Sequence, residues 1–266
     1  NKKRLVAILT GTLLVGSLVG CSAGGASNSG SGSSDSSKIT ISGSTSVGPT
    51  MEILAEDYQK ANKGTTIEVQ QVGSSAGITN TIDGTSQIGM SSRDLKDEEK
   101  SELKEYQIAI DGIAVITNSA NKVKDLTLDQ VKDIYTGKIT NWKEVGGNDA
   151  DIVVVSREDG SGTRDGFQEI VGFESGDLTS NAQISDGSGN IKTTVQGNEN
   201  AIGYISFGYL DDSINSVKIG GVEPKEENVY NKKYPISRPF LLVTKGDATG
   251  DAKSFIDYVL SDEGQK

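Results

Sequence analysis

Residues 157–163 (Arg-Glu-Asp-Gly-Ser-Gly-Thr) combine several of the groups that bind an oxyanion. They follow the apolar run 152–155 and lead into a helical pattern that begins near Thr163. A buried strand that feeds a glycine- and hydroxyl-rich loop into a helix start directs backbone N–H groups, two hydroxyls and a guanidinium at one point. Histidine is absent from all 266 residues, which removes most catalytic and transition-metal sites. We therefore expect a binding protein rather than an enzyme, with no cofactor and no metal.

Three further loops share this character. Each follows a predicted strand, and each is rich in serine and glycine; they are 42–49, 73–77 and 89–94. Serine and glycine are also ordinary turn and cap residues, so no single loop is decisive. In an open α/β sheet, however, ligands gather beyond the carboxyl ends of the strands. The shared position of the four loops therefore predicts one common site.

The enzyme motifs in the chain lack their partners. Residues 73–77 satisfy the GxSxG pattern of a nucleophile elbow, but that chemistry needs a histidine base. SxxK occurs at 101–104 and 119–122 without a companion KTG. The carboxylates of 211–212 and 247–251 are typical of solvated turns. Trp142, the only tryptophan, is predicted to pack in the core or at its rim.

The elements that must position these loops alternate along the chain. Strands are predicted at 38–42, 65–72, 87–90, 108–117, 152–155, 201–206 and 240–244. Helices are predicted at 48–61, 76–82, 96–105, 128–135, 163–171, 191–196 and 252–260. Such alternation predicts an α/β fold.

The first 37 residues are predicted to target and tether the protein. Lys2, Lys3 and Arg4 precede an apolar run at 5–19 that is short for a membrane span, so 1–20 is predicted to be a cleaved signal peptide. Cys21 is the only cysteine and is the expected site of lipid attachment. Residues 21–37 then form a flexible tether rich in serine and glycine. We expect a cell-membrane protein, lipid-anchored on the extracytoplasmic face.

The charge of the chain limits its partners. The net charge is −11, and the predicted signal carries three basic and no acidic residues, so its removal takes the charge to −14. A surface this acidic argues against nucleic acid as a partner. It permits a small anion, because backbone N–H groups and buried arginines act at contact distance, whereas surface charge is screened beyond about 8 Å.

Six motifs in the chain together resemble the PstS-type phosphate-binding lipoproteins, which are the solute receptors of ABC phosphate importers. The motifs are Gly-Ser-Thr-Ser at 43–46, Val-Gly-Ser-Ser-Ala-Gly at 72–77, Ile-Gly-Met-Ser-Ser-Arg at 88–93, Ile-Tyr-Thr-Gly-Lys-Ile-Thr-Asn-Trp at 134–142, Arg-Glu-Asp-Gly-Ser-Gly-Thr at 157–163 and Ala-Ile-Gly-Tyr at 201–204. The resemblance covers nearly all of 38–266. It implies a two-lobed class II periplasmic-binding-protein fold with a ligand cleft between the lobes, and it implies inorganic phosphate and ABC permease subunits as partners of a monomer.

The resemblance also implies the site residues. The predicted phosphate ligands are Thr45, Ser46, Ser74, Ser92, Arg93, Arg157, Ser161, Gly162 and Thr163. The predicted supporting residues are Ser44, Ser75, Asp94 and Asp159, of which Asp159 is expected to orient Arg157. Lobe one is expected at 38–112 plus 240–266, and lobe two at 113–239.

One position departs from the family pattern. Where the best-known members have an aspartate that accepts the proton of hydrogen phosphate, this chain has Ser92. A buried carboxylate discriminates against sulfate because sulfate brings no proton to pair with it. We expect Arg93 to add a second cation and Asp94, Asp159 or Glu158 to supply the acceptor.

Two alternatives to a phosphate receptor stay open. The Ser92 departure is compatible with a receptor of the same fold for molybdate, tungstate or sulfate. The fold could also serve as a surface adhesion or signalling module without transport.

Overall fold

The computed structural model of the protein describes residues 36–266. The predicted signal peptide, Cys21 and nearly all of the predicted tether lie outside this range. Within it, none of the helices combines the length and apolar character needed to cross a membrane.

Strands and helices alternate through the described range, as the sequence predicted. The strands are β1 (Ser37–Gly43), β2 (Thr65–Gln71), β3 (Ile88–Ser91), β4 (Leu103–Asn118), β5 (Asp125–Leu126), β6 (Val153–Arg157), β7 (Gln183–Ser185), β8 (Ala201–Ser206), β9 (Ile214–Ser216), β10 (Lys218–Ile219) and β11 (Ser237–Lys245). The helices are α1 (Gly48–Ala61), α2 (Ser74–Ile82), α3 (Asp97–Lys100), α4 (Leu128–Tyr135), α5 (Gly162–Val171), α6 (Ser188–Gln196), α7 (Glu226–Tyr230) and α8 (Gly250–Val259). Short 3-10 turns lie at Trp142–Val145, Ser175–Asp177 and Phe207–Tyr209.

One predicted helix is wrong over most of its length. The sequence predicts a helix at 96–105, but only Asp97–Lys100 is helical and β4 begins at Leu103. From Leu103 to Gly112 this strand pairs antiparallel with β11. Leu103 and Ile108 are buried in clusters that include residues of β11. Long-range strand pairing therefore overrides the local preference of this charged segment for a helix.

The main sheet of the described range has the order β2-β1-β3-β11-β4-β8-β6-β7, with β9 added beside β4, and β5 pairs with β10 in a separate small sheet. β1, β2 and β3 are mutually parallel at one end, and β6, β7 and β8 are parallel at the other. β4 connects the two ends because its first part pairs with β11 and its second part, 113–117, pairs with β8. Each of these two groups of parallel strands therefore has loops at the carboxyl ends of its strands, where ligands bind in α/β sheets.

The hydrophobic core is divided in the same way. Two clusters draw their buried residues from 39–108 and 240–259, and two others draw theirs from 113–236. We call 36–108 with 240–266 the first half and 113–236 the second half. The segments 109–112 of β4 and 237–239 of β11 run between them and are called the crossing segments. Trp142 is 1% exposed in a second-half cluster, which confirms that it packs in the core.

Candidate functional site

Four helix starts converge where the two halves meet. α1 and α2 follow β1 and β2 in the first half, and α5 and α6 follow β6 and β7 in the second. Their proximity is shown by hydroxyl contacts between the halves: Ser46 Oγ lies 2.7 Å from Thr163 Oγ1, and Thr45 Oγ1 lies 3.0 Å from Ser188 Oγ. Each helix start carries free N–H groups and the positive end of the helix dipole. Four such ends at one point favour an anion.

We call the hydroxyl side chains at this point the hydroxyl cluster. Its members are Ser44, Thr45, Ser46, Ser74, Ser92, Thr163 and Ser188. All are buried except Thr45, which is partly exposed. Hydroxyls can both donate and accept, so a buried cluster of them remains satisfied by mutual hydrogen bonds and can also donate to an acceptor-only ligand.

The first half contributes a small network centred on Ser92. Ser44 Oγ donates to Ser92 Oγ at 2.8 Å, and Ser74 Oγ lies 3.2 Å from the same oxygen. The backbone N–H of Ser92 donates to Ser74 Oγ at 3.1 Å. Ser44 Oγ also accepts from the N–H of Ser46 at 3.1 Å, which holds the loop before α1. The three predicted loops of the first half are thus joined directly.

Arg157 brings the charge of the second half to the cluster. Its Nε and Nη2 each donate to Glu158 at 2.7 Å. Nη1 donates to Ser188 Oγ at 3.3 Å and Nη2 to Thr45 Oγ1 at 3.1 Å. Burial would raise the pKa of Glu158, but the hydrogen bonds and charge of Arg157 lower it overall. Arg157 is therefore a fully buried cation with one edge paired and the other facing hydroxyls.

Close packing of the loops requires a glycine at position 162. A Cβ at Gly162 would lie 2.3 Å from Ser74 Oγ and 2.7 Å from Ser92 Oγ. The Ser75 N–H also donates to the Gly160 carbonyl at 3.1 Å, which joins backbone to backbone across the halves. The start of α5 thus lies directly against the hydroxyls of the first half.

Arg93 lies apart from the hydroxyl cluster. Its Nη1 and Nη2 each donate to Glu99 at 2.8 Å, and its Nε lies 3.0 Å from Asp165 Oδ2 on α5. Nη2 also donates to Ser75 Oγ at 3.3 Å. The guanidinium therefore faces two carboxylates, one in each half. This geometry suits a contact that joins the halves.

The predicted roles of two aspartates need correction. The sequence predicts that Asp159 orients Arg157, but Asp159 Oδ1 lies 2.7 Å from Arg164 Nη1 and the Asp159 side chain is 93% exposed. Glu158, the neighbouring residue, pairs with Arg157 instead. Asp94 is also exposed, and its backbone carbonyl rather than its carboxylate accepts from Arg93. Successive residues of a loop point in different directions, and sequence alone does not say which carboxylate turns inward.

Ser161 lies at the start of α5 in a capping role. It is buried, and its Oγ accepts from the Arg164 N–H at 3.2 Å. An N-cap hydroxyl satisfies one of the orphan N–H groups of the helix. The same helix start presents Gly162 and Thr163 to the first half, so all three predicted residues of this turn lie at the convergence point.

Sequence reasoning missed several residues at the site. Ser188 contacts Thr45, Ser46 and Arg157, and its surroundings, Ser-Asp-Gly-Ser-Gly at 185–189, have the same character as the four loops. A fifth loop could have been found on that basis. Tyr209 donates to the Thr45 carbonyl at 2.8 Å, and no motif marks it.

The buried Tyr204 supports the start of the loop at 157–163. Tyr204 OH lies 2.8 Å from Ser156 Oγ and accepts from the Arg157 N–H at 3.1 Å. Burial raises the pKa of Tyr204 to about 12, so the phenol is neutral at any physiological pH. The group that positions the Arg157 backbone adds no charge that would oppose an anion.

Comparison with known proteins gives a matching domain family and similar relatives. The PBP superfamily domain matches residues 23–263. The phosphate-binding protein PstS of Bacillus subtilis (strain 168) is 38% identical over 235 residues, covering 87% of this chain and 78% of the relative.

Two solved structures are similar over most of their length. A phosphate ABC transporter substrate-binding protein of Clostridium perfringens, with bound phosphate, has a TM-score of 0.84 and 66% identity, covering 85% of this chain and 94% of that one. An ABC-type phosphate transport receptor of Vibrio cholerae has a TM-score of 0.73 and 39% identity, covering 86% and 96%.

Proposed function

We propose, from the premise that this chain belongs to the PstS family of phosphate-binding proteins, that it binds inorganic phosphate and delivers it to an ABC importer. The two-lobed class II periplasmic-binding-protein fold predicted from the sequence is confirmed by the structural likenesses. The single observation that carries the function is the convergence of four helix starts on the hydroxyl cluster beside Arg157. That arrangement suits the binding and release of an anion, and the sequence has no histidine to act as the base of a hydrolase.

We propose that the ligands come from both halves. The set comprises Thr45, Ser46, Ser74, Ser92, Arg157, Ser161, Gly162 and Thr163, to which we add Ser188. Each hydrogen bond to a charged ligand contributes about 1.5 to 3 kcal/mol, and micromolar affinity needs roughly 8 kcal/mol net. A handful of these donors is sufficient after the cost of ordering.

Arg93 has a different role in this proposal. Its guanidinium is held by Glu99 and Asp165, so we assign it to the contact between the halves rather than to the phosphate. Closure would bring the two sets of donors around the ligand and exclude water, which strengthens each contact. The closed form is stabilised because the ligand binds it better than the open form.

We assign lobe one to 38–112 plus 240–266 and lobe two to 113–239. The separation of the core clusters supports this division. The crossing segments would then contain the hinge.

We also propose that the protein acts on the extracytoplasmic side, anchored through a lipid on Cys21. The basic and apolar sequence before Cys21 supports this part of the proposal. Mass spectrometry of the membrane fraction from cells that express the full chain tests it. A diacylglyceryl group on Cys21 is expected, and an unmodified Cys21 would contradict the anchor.

Titration calorimetry tests the function. We expect phosphate to bind the protein with one site, and sulfate, molybdate and tungstate to bind at least tenfold more weakly. Tighter binding of one of the other oxyanions would move the protein to the alternative receptor class. Failure of every oxyanion to bind or to raise the melting temperature would favour an adhesion or signalling module.

A further inference from the structure

A buried ion pair lies on the two crossing segments, outside all of the predicted motifs. Asp111 of β4 and Arg238 of β11 are partners in the antiparallel register. Arg238 Nε and Nη2 donate to Asp111 Oδ2 at 3.1 and 2.9 Å. Arg238 is 4% exposed and Asp111 is 9% exposed. Burying two charges is costly, and burial lowers the pKa of Arg238 and raises that of Asp111, so the pair calls for an explanation beyond stability.

The free edge of Arg238 faces the hydroxyl cluster. Nη1 donates to Thr163 Oγ1 at 2.9 Å and to the Ser92 carbonyl at 3.0 Å. Thr163 belongs to the second half and Ser92 to the first. One nitrogen of the crossing segment therefore touches both sides of the site.

The direction of these hydrogen bonds decides how the cluster is polarised. A guanidinium only donates, so the Thr163 oxygen must accept from Arg238. The Thr163 proton is then free to point away from Arg238; Ser46 Oγ lies 2.7 Å from Thr163 Oγ1, and either oxygen could be the donor of that contact. An oxyanion at this point would meet a donor rather than a lone pair.

Asp111 makes its other contact on the side of the ion pair that faces away from Thr163. Its Oδ1 accepts from Ser206 Oγ, at the end of β8, at 2.8 Å. The pair is neutral as a whole, and its positive end faces Thr163 and Ser92 while its negative end faces Ser206. It thus adds a fixed dipole to the site without adding net charge.

We propose that Arg238, held by Asp111, is a positioning residue of the anion site that orients the Thr163 hydroxyl as a donor and fixes the loop that carries Ser92. The inference rests on the proposed binding function and deepens it. Arg238 belongs to a crossing segment and contacts the site directly. A movement of the crossing segments would therefore be transmitted to the site.

A double-mutant cycle tests the proposal. The pair is neutralised in Arg238→Gln/Asp111→Asn, and the hydroxyl is removed in Thr163→Val. We expect each change alone to weaken phosphate binding about tenfold by calorimetry. Combined, they should weaken it clearly less than the hundredfold product of the two changes, because part of the effect of Arg238 passes through Thr163. Additive losses of about a hundredfold, or wild-type affinity in the neutralised variant, would overturn the proposal.

Controls separate positioning from stability. Val131→Ala trims a fully buried second-half side chain, and we expect it to lower the melting temperature with the dissociation constant unchanged within twofold. If the neutralised variant does not fold, Arg238→Lys replaces it in the cycle, because one ammonium cannot serve Asp111, Thr163 and Ser92 together. If wild-type protein binds another oxyanion instead of phosphate, the proposed function fails and the same cycle is run with that ion.

Discussion

Two arginine loops of this protein are alike in sequence and differ in what their guanidiniums face. Arg93 follows β3 and Arg157 ends β6; both are buried, and each donates two hydrogen bonds to a glutamate. The remaining edge of Arg157 meets the hydroxyls of Thr45 and Ser188. The remaining Nε of Arg93 meets a second carboxylate, that of Asp165.

The difference lies in the number of carboxylates. An arginine with one carboxylate keeps donors for a ligand, and the local charge is balanced before the ligand arrives. An arginine between two carboxylates is surrounded by net negative charge, which repels an anion. A buried arginine in a serine-rich loop is therefore a ligand or a structural tie according to how many acidic side chains turn toward it.

Replacing the two arginines gives the largest expected contrast. Arg157→Ala should weaken phosphate binding by about 10² to 10³-fold, because it removes charge-assisted donors and leaves Glu158 uncompensated beside the anion. Arg93→Ala should weaken binding by less than about tenfold and should lower the melting temperature. Calorimetry and thermal unfolding on both variants measure the two effects.

The contrast between the loops fails if Arg93→Ala costs as much affinity as Arg157→Ala. Arg157→Ala is also combined with Glu158→Gln. This double variant distinguishes the loss of the Arg157 donors from the effect of an unpaired Glu158 charge. That double variant should still bind at least tenfold more weakly than the wild type.

Gly162→Ala tests the close approach of the second-half loop to the first half. The added methyl would lie 2.3 Å from a buried serine oxygen, so the halves cannot pack as closely. We expect phosphate affinity to fall about ten- to a hundredfold. Gly189→Ala is the matched control, because it also lies at a helix start and a methyl there meets nothing within 4 Å. Equal affinities for the two variants would show that the tight contact does not matter for binding.

The pH dependence of stability examines the Arg157–Glu158 pair. The pKa of Glu158 is lowered from its ordinary value of 4.5 in the folded protein. Its contribution to stability is therefore present above about pH 4.5 and is lost as the pH falls through the lowered folded-state value. The difference in melting temperature between wild type and Glu158→Gln should shrink as the pH drops below 4.5. A difference that is constant from pH 7 to pH 3 would contradict this.

The smallest effect is expected at the exposed aspartates. Asp94 and Asp159 both point to solvent, so neither is placed to accept the proton of hydrogen phosphate. Asp94→Ala and Asp159→Ala should leave the ratio of phosphate to sulfate affinity unchanged within about twofold in competition calorimetry. A marked loss of discrimination in either variant would restore that aspartate as the acceptor.

Local sequence predicted much of the fold because local physics controls those parts. The alternation of apolar runs and helical patterns located β1, α1, α4 and β8 at or close to their observed bounds. It failed at 96–105, where a charged stretch with helical character is pulled into β4 by pairing with β11. Pairing between strands more than a hundred residues apart leaves no local pattern.

The candidate site divides in the same way. The sequence by itself determined the chemistry: serine, threonine and glycine at strand ends before helix starts, an arginine among them and no histidine base. Only the tertiary structure decided that Glu158 rather than Asp159 turns toward Arg157, that Arg93 is tied by Asp165, and that Arg238 reaches Thr163. Backbone propensity and side-chain chemistry act within a few residues. The partner of a buried charge depends instead on which neighbouring carboxylate turns inward and on which distant elements the fold brings within about 3 Å.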